Sequence, residues 1–553
     1  MSMHKGKKMK KLVALLLTAA MTVAMTVGCG GSGGSSDSSE GSSSSASTSS
    51  TNENVTGEAV QKDVVNIGIE ADPSDLSPFG PETTGRTAIL DCLYETLGYF
   101  EDGEFVGVLA KDYELSEDQT TLTFNLYEDI YDQAGNHMTA SDVVFSYNSK
   151  VEAGNFFNID FINDVEAVDD YTVQFNLTPP LNVTNIANLV HYLFCVTEEA
   201  YNASADGMVT DGIVSTSHYK VADYQSGYLL TLEKNDDYWQ KDESLIAERN
   251  QANVDTINYY ILAESNQRTV ALESGTIDMC WSVASTDLSK FTEGGEQADN
   301  YWVYESSDNL STVLIYNQAD GHLTQDENLR KAIGYSINGE VILQSIYDGH
   351  GAVNYDFSRE ASTGFNEDWK TQDNFYQYDV DTAKELVEQS DYQSGDTISL
   401  LVNSDTASTD MAALIQGFCS AAGITVEINS VDSAVVNTYF ADSSAWDLYL
   451  TQSAAETYTV QSWLRHLDNR SSEAGVTTGF LADDTLQKLL VEATDIETSD
   501  QNTIDACHDY VAEHAIVRGI VNPYTCYVVP TDCQNVVLGC KAQILPGACT
   551  YVE

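Results

Sequence analysis

The chain of 553 residues carries 85 acidic against 25 basic residues, a formal net charge of -60, and 42% of it is apolar. That length and apolar content allow roughly two to four domains with ample core, and they argue against wholesale disorder. A surface this acidic repels nucleic acid and anionic lipid, so neither is expected as a partner.

Residues 5–11 hold all the bases of the first 28 (Lys5, Lys7, Lys8, Lys10, Lys11), with no acid among them. An apolar run over 12–27 follows, of signal-peptide length and short for a membrane span of about 20 residues. It ends at Thr26-Val27-Gly28-Cys29, ahead of a Gly/Ser-rich stretch. The pattern resembles a bacterial lipoprotein signal over 1–28. That implies a lipid anchor on Cys29 and a place on the outer face of the cytoplasmic membrane. Ordinary secretory cleavage near Ala24 is the alternative, and Thr26 stands where such signals usually carry an aliphatic residue. Loss of this leader leaves 20 bases against 85 acids, or -65. Residues 29–62 read as a disordered tether, because Gly/Ser-rich sequence of low hydrophobicity cannot build a packed core. Gly30 to Gly34 spell G-x-S-x-G, but no strand leads into it and no helix follows, so it predicts no nucleophile elbow.

An apolar strand is expected over 64–69, then an extended loop stiffened by Pro73 and Pro78. A short helix should end near Gly98, with an acidic turn at Glu101-Asp102-Gly103. Over 121–126, Leu122, Phe124 and Leu126 alternate with polar residues, the period of a half-buried strand. Thr139, three residues before Asp142, begins a helix by a capping-box spacing. A hairpin follows over 165–177, turning at Asp169-Asp170. Later come strands near 230–239 and 254, and a helix from Arg268 closed by Gly275. In the distal half, Asp379 or Asp381 caps a helix with Ala383, Leu386 and Val387 on one face. A buried helix over 411–422 stops at Gly423, and strands follow at 424–428 and 446–450. Paired helices over 481–493 and 504–515 precede a Tyr/Val-rich strand region at 519–530.

Ordered words along this chain point further. They include Tyr94-Glu95-x-Leu97, Leu109-Ala110-x-x-Tyr113-Glu114-x-Ser116-x-Asp118, Thr121-Leu122-Thr123-Phe124-x-Leu126 and Thr139-Ala140-x-Asp142-Val143-Val144-Phe145-Ser146. Further on stand Tyr219-Lys220-Val221, Asn235-x-x-Tyr238-Trp239, Leu314-x-Tyr316-Asn317, Arg330-x-Ala332-Ile333 and Gly349-His350-Gly351-Ala352. Over about 64–530 the chain resembles the family 5 extracellular solute-binding proteins, the oligopeptide, dipeptide and nickel receptors of ABC importers. It departs from them at Ser217-His218, where Gly-Pro is usual, and at Asn338, where Asp is usual.

The resemblance implies an α/β, two-lobed periplasmic-binding-protein-like fold of type II, with an extra subdomain in the first lobe and a hinge between lobes. The division expected is 63–307 for the first lobe, with the subdomain at about 93–215, then 308–522 for the second lobe. Residues 523–553 return to the first lobe with a Cys-rich tail, and hinge segments are expected near 304–310 and 521–530. It further implies a monomer that captures peptides by lobe closure and delivers them to a membrane permease. A nickel or metal-chelate receptor, an oligosaccharide receptor, a secreted enzyme and a sensory surface protein are the alternatives. In peptide-binding relatives a loop after the strand at Trp446-Asp447-Leu448 supplies an Asp for the ligand's amino group. Here that loop, 451–458, lacks Pro and Asp, and Glu456 is its one carboxylate. Glu456 is therefore either that partner or a solvated loop acid. Tyr316, Asn317, Phe79 and Trp463 complete the expected ligand contacts, whereas Trp446 is expected to pack beneath its strand.

No H-E-x-x-H, P-loop or Rossmann spacing occurs, so no cofactor, resident metal or catalytic residue is expected, and the chain is expected not to be an enzyme. His350 is the one histidine whose Gly-flanked loop draws notice. If Cys29 is lipidated, nine cysteines remain. Cys526, Cys533, Cys540 and Cys549 crowd the C-terminus and suit a disulfide staple of open connectivity, with a zinc site the runner-up.

Overall fold

The computed structural model describes residues 49–553 apart from 82–83, 102–103, 157–158, 308–309, 355–356, 360–361, 372–375, 455–458, 465–466, 469–482 and 540–542. Its first strands are β1 (Ser49–Thr51), β2 (Ala59–Val60) and β3 (Lys62–Ile69). β1 and β2 correct the expected tether. Ser49–Thr51 pairs with 535–537 and Ala59–Val60 with 551–552, so ordered chain begins within the stretch read as disordered. The pairing partners lie almost 500 residues away, which is why a polar Ser/Thr segment with no apolar alternation gave no local sign of a strand.

The helix Thr84–Leu93 stops five residues before Gly98, which instead opens β4 (Gly98–Glu101), paired with β5 (Glu104–Gly107). Gly98 is an approach residue rather than a helix cap. A Cβ there would stand 2.4 Å from the Phe105 ring. β6 (Ala110–Leu115), β7 (Thr121–Leu126), β8 (Ile162–Asp169) and β9 (Thr172–Leu177) then form an antiparallel sheet in the order β6-β7-β9-β8. Strict burial alternation in β7 and β9 puts Leu122, Phe124, Val173 and Phe175 on one core. The helix Ala140–Glu152 covers that core, started by the Thr139–Asp142 capping box.

The first lobe's main sheet runs β10 (Tyr219–Gln225), β11 (Leu229–Lys234), β12 (Val254–Ile261), β3, β13 (Met279–Cys280), then the late strand 525–530, then β14 (Tyr301–Ser306). β12 and β3 lie parallel over their whole length. The second lobe's sheet is built from β15 (Leu310–Tyr316), β16 (Gly351–Val353), β17 (Ile398–Asn403), β18 (Val426–Val431), β19 (Leu448–Ala454) and β20 (Val517–Pro523), in the order β16-β20-β15-β19-β17-β18. Helix, Gly, strand grammar holds there. Asp379 caps Val380–Gln389, and Thr406–Ala421 ends before Gly423 at φ +91°, a conformation glycine adopts freely. After β20 come β21 (Thr525–Pro530), β22 (Cys533–Val537) and β23 (Thr550–Val552), which rejoin the first lobe. Separate apolar clusters fill the two sheets and the subdomain. No helix among the described residues is long and apolar enough to cross a membrane.

Candidate functional site

The chain passes between the two main sheets at 307–309, from β14 to β15, and at residue 524, from β20 to β21. These crossings run side by side, because β14 pairs with β21 and β15 with β20. Two antiparallel strands thus leave one lobe and enter the other together, which is a hinge in the plain mechanical sense. A buried polar knot lies beneath it on the second-lobe side. Asn354 Nδ2, with two hydrogens to donate, is ringed by Ser311 Oγ (2.7 Å), the Ser358 carbonyl (3.0 Å) and Asn522 Oδ1 (2.9 Å). Satisfied networks of this kind fix local geometry, so they favour motion in the crossings rather than in the lobe. Gly351 packs so closely here that a Cβ would meet the Asn522 carbonyl at 2.6 Å.

β19 runs antiparallel to β15, with Ala454 opposite Leu310, the first strand residue past the crossing. The loop that leaves β19, and with it Glu456, lies outside the described residues. Its point of departure is nonetheless level with the hinge.

The other expected contacts are buried with partners inside their own lobes. Phe79 packs against Tyr201 with rings tilted (5.0 Å) and edge-on against Phe145 (6.1 Å) in the first-lobe core. Tyr316 is fully buried, and burial pushes its hydroxyl well up. Asn317 donates to the Ser443 and Trp446 carbonyls at 2.7 and 2.8 Å, tying the end of β15 to the loop before β19. Trp463 is buried, with Nε1 donating to Ser362 Oγ at 3.2 Å. The structure therefore gives all four packing or pinning roles and does not gather them on one surface. Trp446 is buried against Phe440 and Tyr449. Its neighbour Asp447 accepts from the Ser399 amide at 2.8 Å and lies 2.8 Å from His322 Nδ1, stitching β17 to β19. Cys29 lies outside the described residues, as does Cys540. Cys526, Cys533 and Cys549 are buried free thiols, so no staple joins these three.

Sequence reasoning missed two features. Arg359, 1% exposed, donates from Nη1 to the Ser307 carbonyl in the first crossing (2.9 Å) and stands 5.8 Å from the centre of the Trp463 ring. Only the scarcity of bases in so acidic a chain could have drawn attention to it. The second is a clasp between the subdomain and the second lobe. Val183 N donates to the Thr494 carbonyl (3.0 Å), Ile496 N to the Leu181 carbonyl (2.9 Å), and Gln119 Nε2 to Glu497 Oε1 (3.0 Å). Separately, a cavity of about 540 Å³ lined by Lys62, Leu272, Asp278, Tyr301, Pro530 and Tyr551 takes nothing from the second-lobe sheet, so it is not the space between lobes.

Residues 104–474 match the model of the bacterial extracellular solute-binding proteins, family 5 Middle. The Escherichia coli (strain K12) dipeptide-binding protein is 26% identical over 364 residues, 59% of this chain and 64% of that protein, so this chain spans just under two thirds of its length. The oligopeptide-binding protein OppA of Bacillus subtilis (strain 168) is 21% identical over 446 residues, 73% of this chain and 75% of that protein. Among solved structures, the dipeptide binding protein of Pseudoalteromonas sp. SM9913 in complex with Met-Leu aligns at TM-score 0.70 and 21% identity, covering 89% of this chain and 100% of that one. NikA of Brucella suis in complex with Fe(III)-EDTA aligns at TM-score 0.74 and 18% identity over the same shares. With two lobes, paired crossings and a family match over most of its length, the chain belongs to the bacterial extracellular solute-binding proteins of family 5.

Proposed function

We propose that this receptor, anchored by lipid on Cys29, captures peptides between its lobes as a monomer and hands them to a membrane permease by closing about the hinge. The observation that carries the peptide reading is the setting of the crossings. The acid-bearing loop follows Ala454, which pairs opposite Leu310, the first strand residue past the crossing. A carboxylate carried by a loop that starts beside the crossing suits a ligand with a free ammonium group. Peptide-binding relatives in the family support the same reading, while the departures in loop 451–458 bear on which peptides fit.

Native mass spectrometry and calorimetry of the mature protein with a panel of di- to octapeptides test the proposal, and mass spectrometry of the N-terminus reads the acyl chains. Glu456→Gln leaves a buried ammonium unpaired and lowers affinity by about 2–5 kcal/mol. N-acetylation of the peptide weakens wild type by a similar amount and the variant far less, since both changes remove one interaction. If a metal chelate or an oligosaccharide binds while no peptide does, the receptor stands and the ligand class is wrong.

A further inference from the structure

Three donor groups of metal-ligating type meet at the hinge, drawn from positions too far apart for any spacing motif to announce them. Glu305 near the end of β14 and Cys526 near the start of β21 are direct register partners, so their side chains leave the same face of the sheet. His350 comes from the other lobe, immediately before β16. The Tyr524 amide donates to its carbonyl at 3.3 Å, and Gly351 pairs with Pro523 beside it. His350 Nδ1 lies 2.8 Å from Glu305 Oε1, and the ligand atoms of all three residues fall within 4.8 Å of one another. Cys526 is buried, whereas the other two side chains keep contact with solvent and leave an entry path.

Zinc-class ions take Cys sulfur, His nitrogen and carboxylate oxygen at about 2.0–2.3 Å in a tetrahedron, which puts donor atoms about 3.5 Å apart. The cluster's donor atoms, within 4.8 Å of one another, exceed that spacing by no more than about 1.3 Å, and the part-exposed Glu305 has room to re-aim. An ion pair between His350 and Glu305 accounts for two of the groups. It gives no reason for a thiol held beside them by strand register. Without a cation, burial first and Glu305 second push that thiol up to about 12. A divalent ion reverses the balance by taking the proton's place.

We propose that Glu305, His350 and Cys526 bind one thiophilic divalent cation of the zinc class, with a fourth position left open, and that the ion ties both crossings to the second lobe. Glu305 precedes the first crossing by two residues and Cys526 follows the second by two, so the ion clamps the hinge where the lobes turn. The proposal does not depend on the ligand class.

Cobalt(II) added to the full mature protein, stripped by chelator and dialysed, is the probe. The expected result is uptake of one ion per chain with a thiolate-to-cobalt charge-transfer band in the near ultraviolet. Cys526→Ser removes the band. His350→Ala and Glu305→Gln weaken cobalt uptake by about 10–100-fold or more, at least the loss seen when even an outer-shell partner is removed. Circular dichroism confirms that each variant is folded, and zinc displaces the cobalt. Uptake without a sulfur band means diffuse binding to surface acids and overturns the proposal. So does a band that survives Cys526→Ser, which assigns it to another thiol, or unchanged affinity in His350→Ala.

Discussion

Two of the joints between the subdomain and the rest of the molecule, the seam with its own lobe and the clasp to the second, are built differently. The seam is buried on both sides. Along 193–196, Leu193 and Cys195 enter the subdomain core while Phe194 and Val196 enter the first-lobe core, so one apolar run serves two cores at strand period. Glu95 is sealed into this seam, accepting from Tyr238 Oη at 2.5 Å and Trp239 Nε1 at 2.8 Å. The clasp to the second lobe is graded instead: Leu181, Thr494 and Gln119 are buried, Val183 and Ile496 are half-buried, and Glu497 is exposed. The seam is sealed along its length, whereas the clasp opens to water at its Glu497 end, where its bonds are easier to exchange.

The largest expected effect breaks the seam. Trp239→Ala removes a buried indole packed 5.6 Å from Tyr127 and its bond to Glu95, a loss of about 3–5 kcal/mol in denaturant unfolding. A loss no greater than that of a surface change contradicts the seam's role.

Next is Glu95 itself. Burial pushes its carboxyl up to about 7 from 4.5, against the opposing pull of its bonds to Tyr238 and Trp239. A folded value above the unfolded one means the folded state holds the proton more tightly. The associated stability is full below pH 4.5 and is lost as pH rises to about 7. The span corresponds to roughly 3 kcal/mol. Glu95→Gln, neutral throughout, lacks this loss, so the difference between variant and wild type in denaturation shifts in the variant's favour between pH 4.5 and 8. A parallel pair of profiles refutes it.

A smaller effect belongs to the clasp. Gln119→Ala deletes the bond to Glu497 and the acceptor for the Leu181 amide (3.1 Å), worth about 1 kcal/mol. Its signature is a larger radius of gyration by small-angle scattering in the absence of ligand, with little change in melting. The gentlest test changes nothing covalent. The Val183 and Ile496 amides, bonded at 3.0 and 2.9 Å, exchange hydrogen well before the Cys195 amide, bonded at 2.9 Å. Equal protection of the three would erase the distinction between clasp and seam.

The elements legible in the sequence were those whose signal is local. The alternation in β7, the Thr139 and Asp379 caps and the Gly423 stop each rest on a few neighbouring residues. The family's words were legible too, and the structure shows what several of them do. Tyr94-Glu95 meets Tyr238-Trp239 in the seam, Asn317 pins the loop before β19, and Arg330 donates to the His514, Ala515, Thr324 and Gln325 carbonyls. These words specify the scaffold. For that reason Tyr316, Asn317 and Trp463, read as ligand contacts because they sit in or near such words, are found packed. The clasp, Arg359 at Ser307 and the β1–β22 pairing join residues scores or hundreds apart, where neither periodicity nor spacing carries information.

The placement of β21 has a consequence for how the molecule is made. β21 lies inside the first-lobe sheet, between β13 and β14, and β22 and β23 complete the sheet that holds β1 and β2. A chain emerging from its N-terminus therefore begins the first lobe, finishes the second lobe's sheet from the contiguous 310–523, and only then supplies the strand that gives β14 its partner. Closing a loop of that length is slow, and an unpaired β14 edge is open to mispairing in the meantime. The lobe that starts first is completed last, so a stop just after β20, before residue 525, releases a finished second-lobe sheet attached to an unfinished first one.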